Sequence, residues 1–470
     1  MHRTLVIDVV GLTPALLGEN TPNLSRLAAQ GGVRPLRTVA PAVTATVQST
    51  FLTGLPPSGH GAVANGWYVR DLAEVMFWRQ SNHLVSGEKV WEAGRKRDST
   101  FTCAKLFWWY NMYSSADYTV TPRPMYPADG RKIPDIYTQP AGLRDELAER
   151  LGSFPLFNFW GPTADITSSR WIGDCVSYVE EKYAPTLNLV YLPHLDYDLQ
   201  RYGPNDPRIG PQVRLVDEVC GRLIEKAERV GVRVLVLSEY GMSEVGGVVN
   251  VNRVLRRAGW LKVREEMGRE LLDAGASEAF AVADHQLAHV YVSKPELVAE
   301  VKATLESLPG VERVLDAEGK RELGLDHPRS GELVAFSRKD RWFTYYYWID
   351  DDRAPDFART VEIHRKPGYD PVELFLDPTL MLPAAQVGWR LLKKAAGFRT
   401  LMDVIPLDPS LVRGSHGRLA DDAADGPLVI GSHAELLPEG SVDAVDVKRL
   451  ILRYLFESSR ARDATLREAS

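Results

Sequence analysis

Three short runs dense in aliphatic and β-branched residues, Leu5–Val10, Leu187–Leu192 and Arg233–Leu237, constrain this chain more than any other feature. Each is far too short to span a bilayer and too continuously apolar for a strand with one wet face, so each reads as a buried strand. A glycine turn and a helix-like stretch, Asn23–Leu27, follow the first run. Between the second and third lies Val213–Val230, whose apolar residues recur at three- and four-residue steps. Strand, loop, helix and strand in this order predict an α/β protein with a mostly parallel central sheet flanked by crossover helices.

The chain has 470 residues, which calls for one large domain with an insertion or for two domains. Its hydrophobic share of 44% is enough for a sizeable core and argues against extensive disorder. With 56 Lys+Arg against 62 Asp+Glu the net charge is -6, and no dense basic run could neutralise a row of nucleic-acid phosphates. Nucleic-acid polymers are therefore disfavoured as partners, whereas a small phosphorylated metabolite is not. Cys103, Cys175 and Cys220 are far apart and odd in number, which predicts reduced, buried thiols. No stretch is long and uncharged enough to span a bilayer, so a cytoplasmic location is expected.

The middle of the chain changes character. Leu261–Asp273 is expected to be an exposed charged helix, while Ala288–Val292, Gly331–Phe336 and the aromatic Trp342–Trp348 are expected to be strands. These predict a core from 1 to 245, an inserted α+β lid from 246 to 408, a return to the core from 409 to 457, and a frayed tail from 458 to 470. Gly426–Gly431 reads as another core strand after the insertion, and Ala444–Phe456 as a closing helix.

Four segments at expected strand ends carry chemistry. The first runs from Ala40 through Thr44 to Asn65 and contains Thr53-Gly54, Pro56, His60-Gly61 and the asparagine. The second is His194-Leu195-Asp196-Tyr197-Asp198-Leu199-Gln200, followed by Gly203-Pro204. The third is Ser238-Glu239-Tyr240-Gly241-Met242, and the fourth is Gly414-Ser415-His416-Gly417. Taken alone, each also reads as a helix start or a polar turn.

In order, the four resemble the alkaline phosphatase superfamily, in particular its type I phosphodiesterase/nucleotide pyrophosphatase branch. The resemblance implies an alkaline-phosphatase-like fold and a metal-dependent hydrolase of a phosphodiester, pyrophosphate or phosphomonoester. It makes Thr44 the nucleophile at a helix N-terminus, where free N–H groups and the helix dipole favour an alkoxide. Asn65 becomes the donor to a phosphoryl oxygen. It further implies one or two divalent ions, zinc with manganese or magnesium as alternatives, the second of them doubtful.

Several ligand positions depart from the family pattern. Val10 stands where an aspartate is usual, Gln200 where a histidine is usual, and Glu239-Tyr240 replaces Asp-His. The metal candidates are therefore Asp8, Asp196, Gln200, Glu239 and His416. His194, Asp198, His285 and His364 are possible substitutes, with Asp284 and His289 read as packing or hydrogen-bonding groups. Trp109, Tyr110 and Arg123 offer aromatic faces and a guanidinium for a substrate. The departures also leave open a second reading, a family member without turnover that binds a phosphorylated metabolite or a partner protein.

Overall fold

The computed structural model describes residues 1–398 and 400–458. Residues 459–470 of the expected tail lie outside them.

A nine-stranded sheet runs, in spatial order, Val442–Asp443, Gly32–Arg37, Leu428–Gly431, Arg233–Leu237, Thr4–Val9, Leu187–Leu192, Cys103–Leu106, Tyr118–Pro122 and Ile136–Gln139. The three sequence-defining runs form its adjacent middle strands. Thr4–Val9 pairs in parallel with Leu187–Leu192 on one side and with Arg233–Leu237 on the other. Every residue of these three strands is buried, which explains why their sequences lack alternation. Antiparallel pairings join Leu428–Gly431 to both its neighbours and Ile136–Gln139 to Tyr118–Pro122, so the sheet is mixed toward its sides.

Helices flank this sheet. Ile209–Arg229 turns Val213, Val216, Val219, Leu223 and Ile224 inward at the expected helical steps, and it packs on Ile166–Tyr183 and on Pro22–Gln30. Asp165 caps Ile166–Tyr183 by accepting from the Thr167 N–H at 2.9 Å. A second group, Thr44–Thr53, Val90–Arg97 and Val447–Phe456, packs together elsewhere on the sheet. All three cysteines are free and buried.

The middle of the chain builds a separate four-stranded sheet in the order Ala279–Asp284, Leu287–Val292, Leu333–Ser337 and Val311–Leu315, antiparallel throughout. Two expectations need correction. Leu261–Asp273 is not a helix but a hairpin, Lys262–Glu266 against Arg269–Asp273. Its turn, Met267-Gly268, has both φ angles positive, as a tight two-residue hairpin requires. The aromatic run is a strand only at Arg341–Phe343. Thr344 to Trp348 is irregular chain whose rings are nonetheless buried in the insert's core. Among the described residues no helix is long and apolar enough to cross a membrane.

Candidate active site

The four segments converge where the parallel strands end, the place at which open α/β sheets hold their ligands. Thr4–Val9 ends in Val10-Gly11, and Gly11 adopts φ 77°. A Cβ there would lie 2.7 Å from Leu199, so the chain can turn under the second segment only as glycine. Thr44 is the first residue of the buried helix Thr44–Thr53, and Val43 rather than Thr44 occupies the capping position. Its hydroxyl is therefore not spent on a cap.

Thr44 Oγ1 lies 3.1 Å from the Tyr240 hydroxyl, which donates to Asp196 Oδ1 at 3.2 Å. Asp196 Oδ2 accepts from the Gln200 amide at 2.7 Å, and Gln200 Oε1 accepts from the Tyr369 hydroxyl at 3.0 Å. Burial first, and then the charge of Glu239, push the Asp196 carboxyl up to about 7. On the other side of Thr44, Gln48 Nε2 reaches Asp8 Oδ2 at 3.2 Å and Glu239 Oε1 at 2.7 Å. Both carboxyls are held above their usual range by burial, Asp8 at about 7, and repulsion between them raises Glu239 further. Burial and mutual repulsion thus favour the protonated form in both members of the pair.

His416 joins from the far end of the chain. Its Nδ1 donates to the Ala42 carbonyl at 2.8 Å, which leaves Nε2 an acceptor 3.6 Å from Asp196 Oδ1. Burial holds its pKa well below the usual value. His416 is stacked on Tyr240 at 3.7 Å and on His285 at 3.7 Å, and His285 stacks on Tyr369 at 3.6 Å. His285 is the surprise of the insertion. It tips the hairpin between Ala279–Asp284 and Leu287–Val292 at φ 62°, a conformation that favours glycine, and so stands where only the surrounding contacts justify it. Asp284, beside it, accepts from the Asn65 backbone at 2.8 Å and from its side-chain amide at 3.2 Å. Asn65 Oδ1 accepts from the Ala45 N–H at 2.9 Å, which fixes the start of the Thr44 helix.

The remaining candidates scatter. His194 faces Gln212 at 3.0 Å, Asp198 is paired with Arg201 at 2.8 Å, and His364 faces the Phe77 carbonyl at 3.2 Å. His289 is a structural histidine between the Val63 carbonyl and the Gly331 N–H. Tyr110 is buried in a small cluster with Ala45, Val63 and Trp67, and Arg123 is exposed just after the strand Tyr118–Pro122. Trp109 donates its backbone N–H to Gln48 Oε1 at 2.8 Å, and its ring packs on Trp78 at 4.6 Å. Trp78 and Trp160 both pack on Tyr369, so partly exposed rings form a rim over the polar centre. Sequence reasoning missed Gln48 and Tyr369. Gln48 follows Thr44 by four positions and so shares its helix face, a spacing that could have singled it out.

Two divalent ions would need a cage of anionic or imidazole donors around each. The donors here come in pairs, Asp8 with Glu239 and Asp196 with His416, and among the described residues no group of three or more His, Cys, Asp or Glu side chains could hold a metal. The Gln48 amide stands between Asp8 and Glu239, whereas Gln200 and Tyr240 donate to Asp196 alone. His416 Nε2, Asp8 Oδ1 and Glu239 Oε2 are buried acceptors with no hydrogen-bond partner among the described residues. A catalytic zinc uses three protein ligands, so this donor set does not fit the two-ion site that the resemblance implies. No step below runs through a metal.

Residues 4–370 match the family described as type I phosphodiesterase / nucleotide pyrophosphatase. The chain belongs to the type I phosphodiesterase / nucleotide pyrophosphatase family. The match ends just past Tyr369, so His416 lies beyond it. A family relative, an uncharacterised pyrophosphatase/phosphodiesterase of Schizosaccharomyces pombe, is 24% identical over 261 residues. That stretch is 51% of this chain and 46% of the relative, so the chain aligns with about half the length of the curated relative it matches. Among solved structures, phosphonoacetate hydrolase from Sinorhizobium meliloti superposes with a TM-score of 0.60 at 14% identity, covering 96% of both chains. Murine ectonucleotide pyrophosphatase / phosphodiesterase 5 superposes with a TM-score of 0.56 at 14% identity, covering 97% of this chain and 96% of that one. These likenesses establish the fold expected from the sequence, a mixed α/β sheet flanked by helices.

Proposed function

We propose that this member of a hydrolase family cleaves a phosphodiester, pyrophosphate or phosphomonoester of a small organic molecule, with Thr44 as nucleophile. The observation that carries the reading is the unbroken hydrogen-bonded line from Thr44 through Tyr240 to Asp196.

Thr44 Oγ1 attacks phosphorus in line with the ester oxygen that leaves. As the Oγ1–P bond forms, the Thr44 proton passes to Tyr240 and the Tyr240 proton to Asp196. Asp196 suits the task because a base works best with a pKa near the operating pH, and burial has raised it to about 7. The leaving alkoxide takes a proton from water. In the second step water attacks phosphorus, the Oγ1–P bond breaks, and the relay returns its proton to Thr44. The water protons remain with the product phosphate and solvent.

Asn65 is held by Ala45 and Asp284 with one amide proton still to give, which it donates to a phosphoryl oxygen. The Gln48 amide, bonded to both Asp8 and Glu239, and the burial that favours their protonated forms keep that side of Thr44 from repelling an anionic substrate. We read residues 246–408 as a lid, because they supply Asp284, His285 and Tyr369 to the site. The rim of Trp78, Trp109, Trp160 and Tyr369 favours a flat or apolar leaving group. One solved relative is described in complex with AMP, a ligand with a flat base, which supports this reading of the rim. A binder without turnover would have no use for the relay.

The test is turnover of bis-nitrophenyl phosphate and nitrophenyl phosphate by chelator-treated protein. The expected result is release of nitrophenol that Thr44→Ala abolishes. Equal release by that variant would refute the assignment.

A further inference from the structure

The segment after Tyr369 leaves the site and enters a helix, Pro383–Ala395, that does not bury its apolar side. Val387 turns inward and packs on the cluster that contains Trp342, Val372 and Ile405. Arg390 is tied down by Asp403 at 2.8 Å and by Gln386 at 3.1 Å. The rest of the apolar set faces outward. Trp389 is 59% exposed, Leu391 52% and Leu392 64%, and the flanks add Met381 at 82%, Leu382 at 77% and Phe398 at 67%. Isolated exposed hydrophobics are ordinary, but this many large ones on one helix and its two ends form a patch of the kind that marks an interaction surface.

Charge decides what the patch meets. From Pro378 to Met402 the sequence has, besides Arg390, which Asp403 pairs, three cations, Lys393, Lys394 and Arg399, and no acidic residue, within a chain whose net charge is -6. Lys393 lies beside Trp389, its ammonium 5.2 Å from the ring centroid. A second copy of the chain would bring like charge against like charge. An apolar protein groove would use the rings but not the cations. A bilayer with anionic headgroups uses both, taking Trp and Leu into the headgroup and acyl boundary while Lys and Arg reach up to phosphate.

We propose that Pro383–Ala395 and its apolar flanks dock the protein on an anionic lipid bilayer. The helix lies in the interface and does not cross it. The inference is independent of the hydrolytic reading, since it uses none of the site residues.

The experiment is vesicle flotation of the full chain with mixed phosphatidylcholine and phosphatidylglycerol against phosphatidylcholine alone. Binding to the mixed vesicles is expected to exceed that to the neutral ones at least about fivefold and to fall as salt rises. Trp389→Glu together with Leu392→Glu should remove it while leaving the melting temperature unchanged, because both side chains are exposed. Lys393→Glu should weaken binding to the mixed vesicles alone. No flotation, equal flotation with both vesicle types, or undiminished binding by the double variant would overturn the proposal. So would a concentration-dependent dimer that the same double variant abolishes, which would assign the patch to a second copy.

Discussion

The hydroxyls of Thr44 and Tyr240 stand 3.1 Å apart in a buried site, and the tyrosine donates a hydrogen bond to Asp196 at 3.2 Å. Replacing Tyr240 by Phe keeps the ring stacked on His416 and removes only the relay oxygen. The expected outcome is a fall in kcat of about 10²–10⁴-fold with KM little changed, since a positioned acid–base group contributes that much. Steady-state kinetics of the variant, with circular dichroism to confirm its fold, is the check.

The buried carboxyls set how stability responds to pH. The folded values of Asp8 and Asp196, about 7, and of Asp284, about 6, lie above those of an unfolded chain, so the folded state binds protons more tightly. Their contribution is complete below the unfolded pKa near 4 and is lost as pH rises through about 7. These carboxyls therefore give the melting temperature a downward slope with pH up to about 7. Set against it is the upward slope that buried His60, His285, His289 and His416 give below about 6.5, because their pKa values are lowered. Asp196→Asn should flatten the downward slope. A dependence of melting temperature on pH that is identical in Asp196→Asn and the unaltered protein would contradict the shift at Asp196.

Gln200 is the nearest missing ligand. Gln200→His would add an imidazole to Asp196 and His416 and complete a three-donor set. Zinc affinity by calorimetry should rise by at least the roughly 10–100-fold that even an outer partner is worth. No gain would show that the pair at 3.6 Å is not aimed at a common centre.

Lys366 anchors the strap that carries Tyr369. Its ammonium lies 2.7 Å from both Asp370 and Glu373, and all three are buried. Trp160 also donates to Glu373, at 2.5 Å. Lys366→Ala leaves two buried carboxylates without a counter-ion, at a cost of about 3–5 kcal/mol. Urea unfolding measures this.

The core was legible because continuous apolar runs and one amphipathic helix are local signals, and a buried parallel sheet allows few other readings. The loop motifs were legible because they lie at strand ends, which placed Thr44, Asp196, Glu239, Tyr240 and His416 in one region. What was hidden came from contacts between distant segments. His285 stood only as one of several possible substitute ligands, because nothing local shows that its hairpin tip reaches His416 and Tyr369. Tyr369 was invisible for the same reason, as its partner Gln200 is 169 positions away. Lys262–Asp273 looked helical because an exposed two-stranded ribbon carries charges on both faces, and the signal for strand was confined to the Met267-Gly268 turn. The replaced ligands were visible as substitutions, but only the structure shows the Gln48 amide standing between Asp8 and Glu239.

The account rests on Thr44 as nucleophile, and rapid acid quenching during turnover tests it most directly. Intact-mass and peptide mass spectrometry of chelator-treated protein mixed with nitrophenyl phosphate should show one phosphoryl group, located on Thr44, that accumulates in the Tyr240→Phe variant if its second step slows most. Turnover with no adduct at Thr44, or an adduct on another residue that survives Thr44→Ala, would contradict the account.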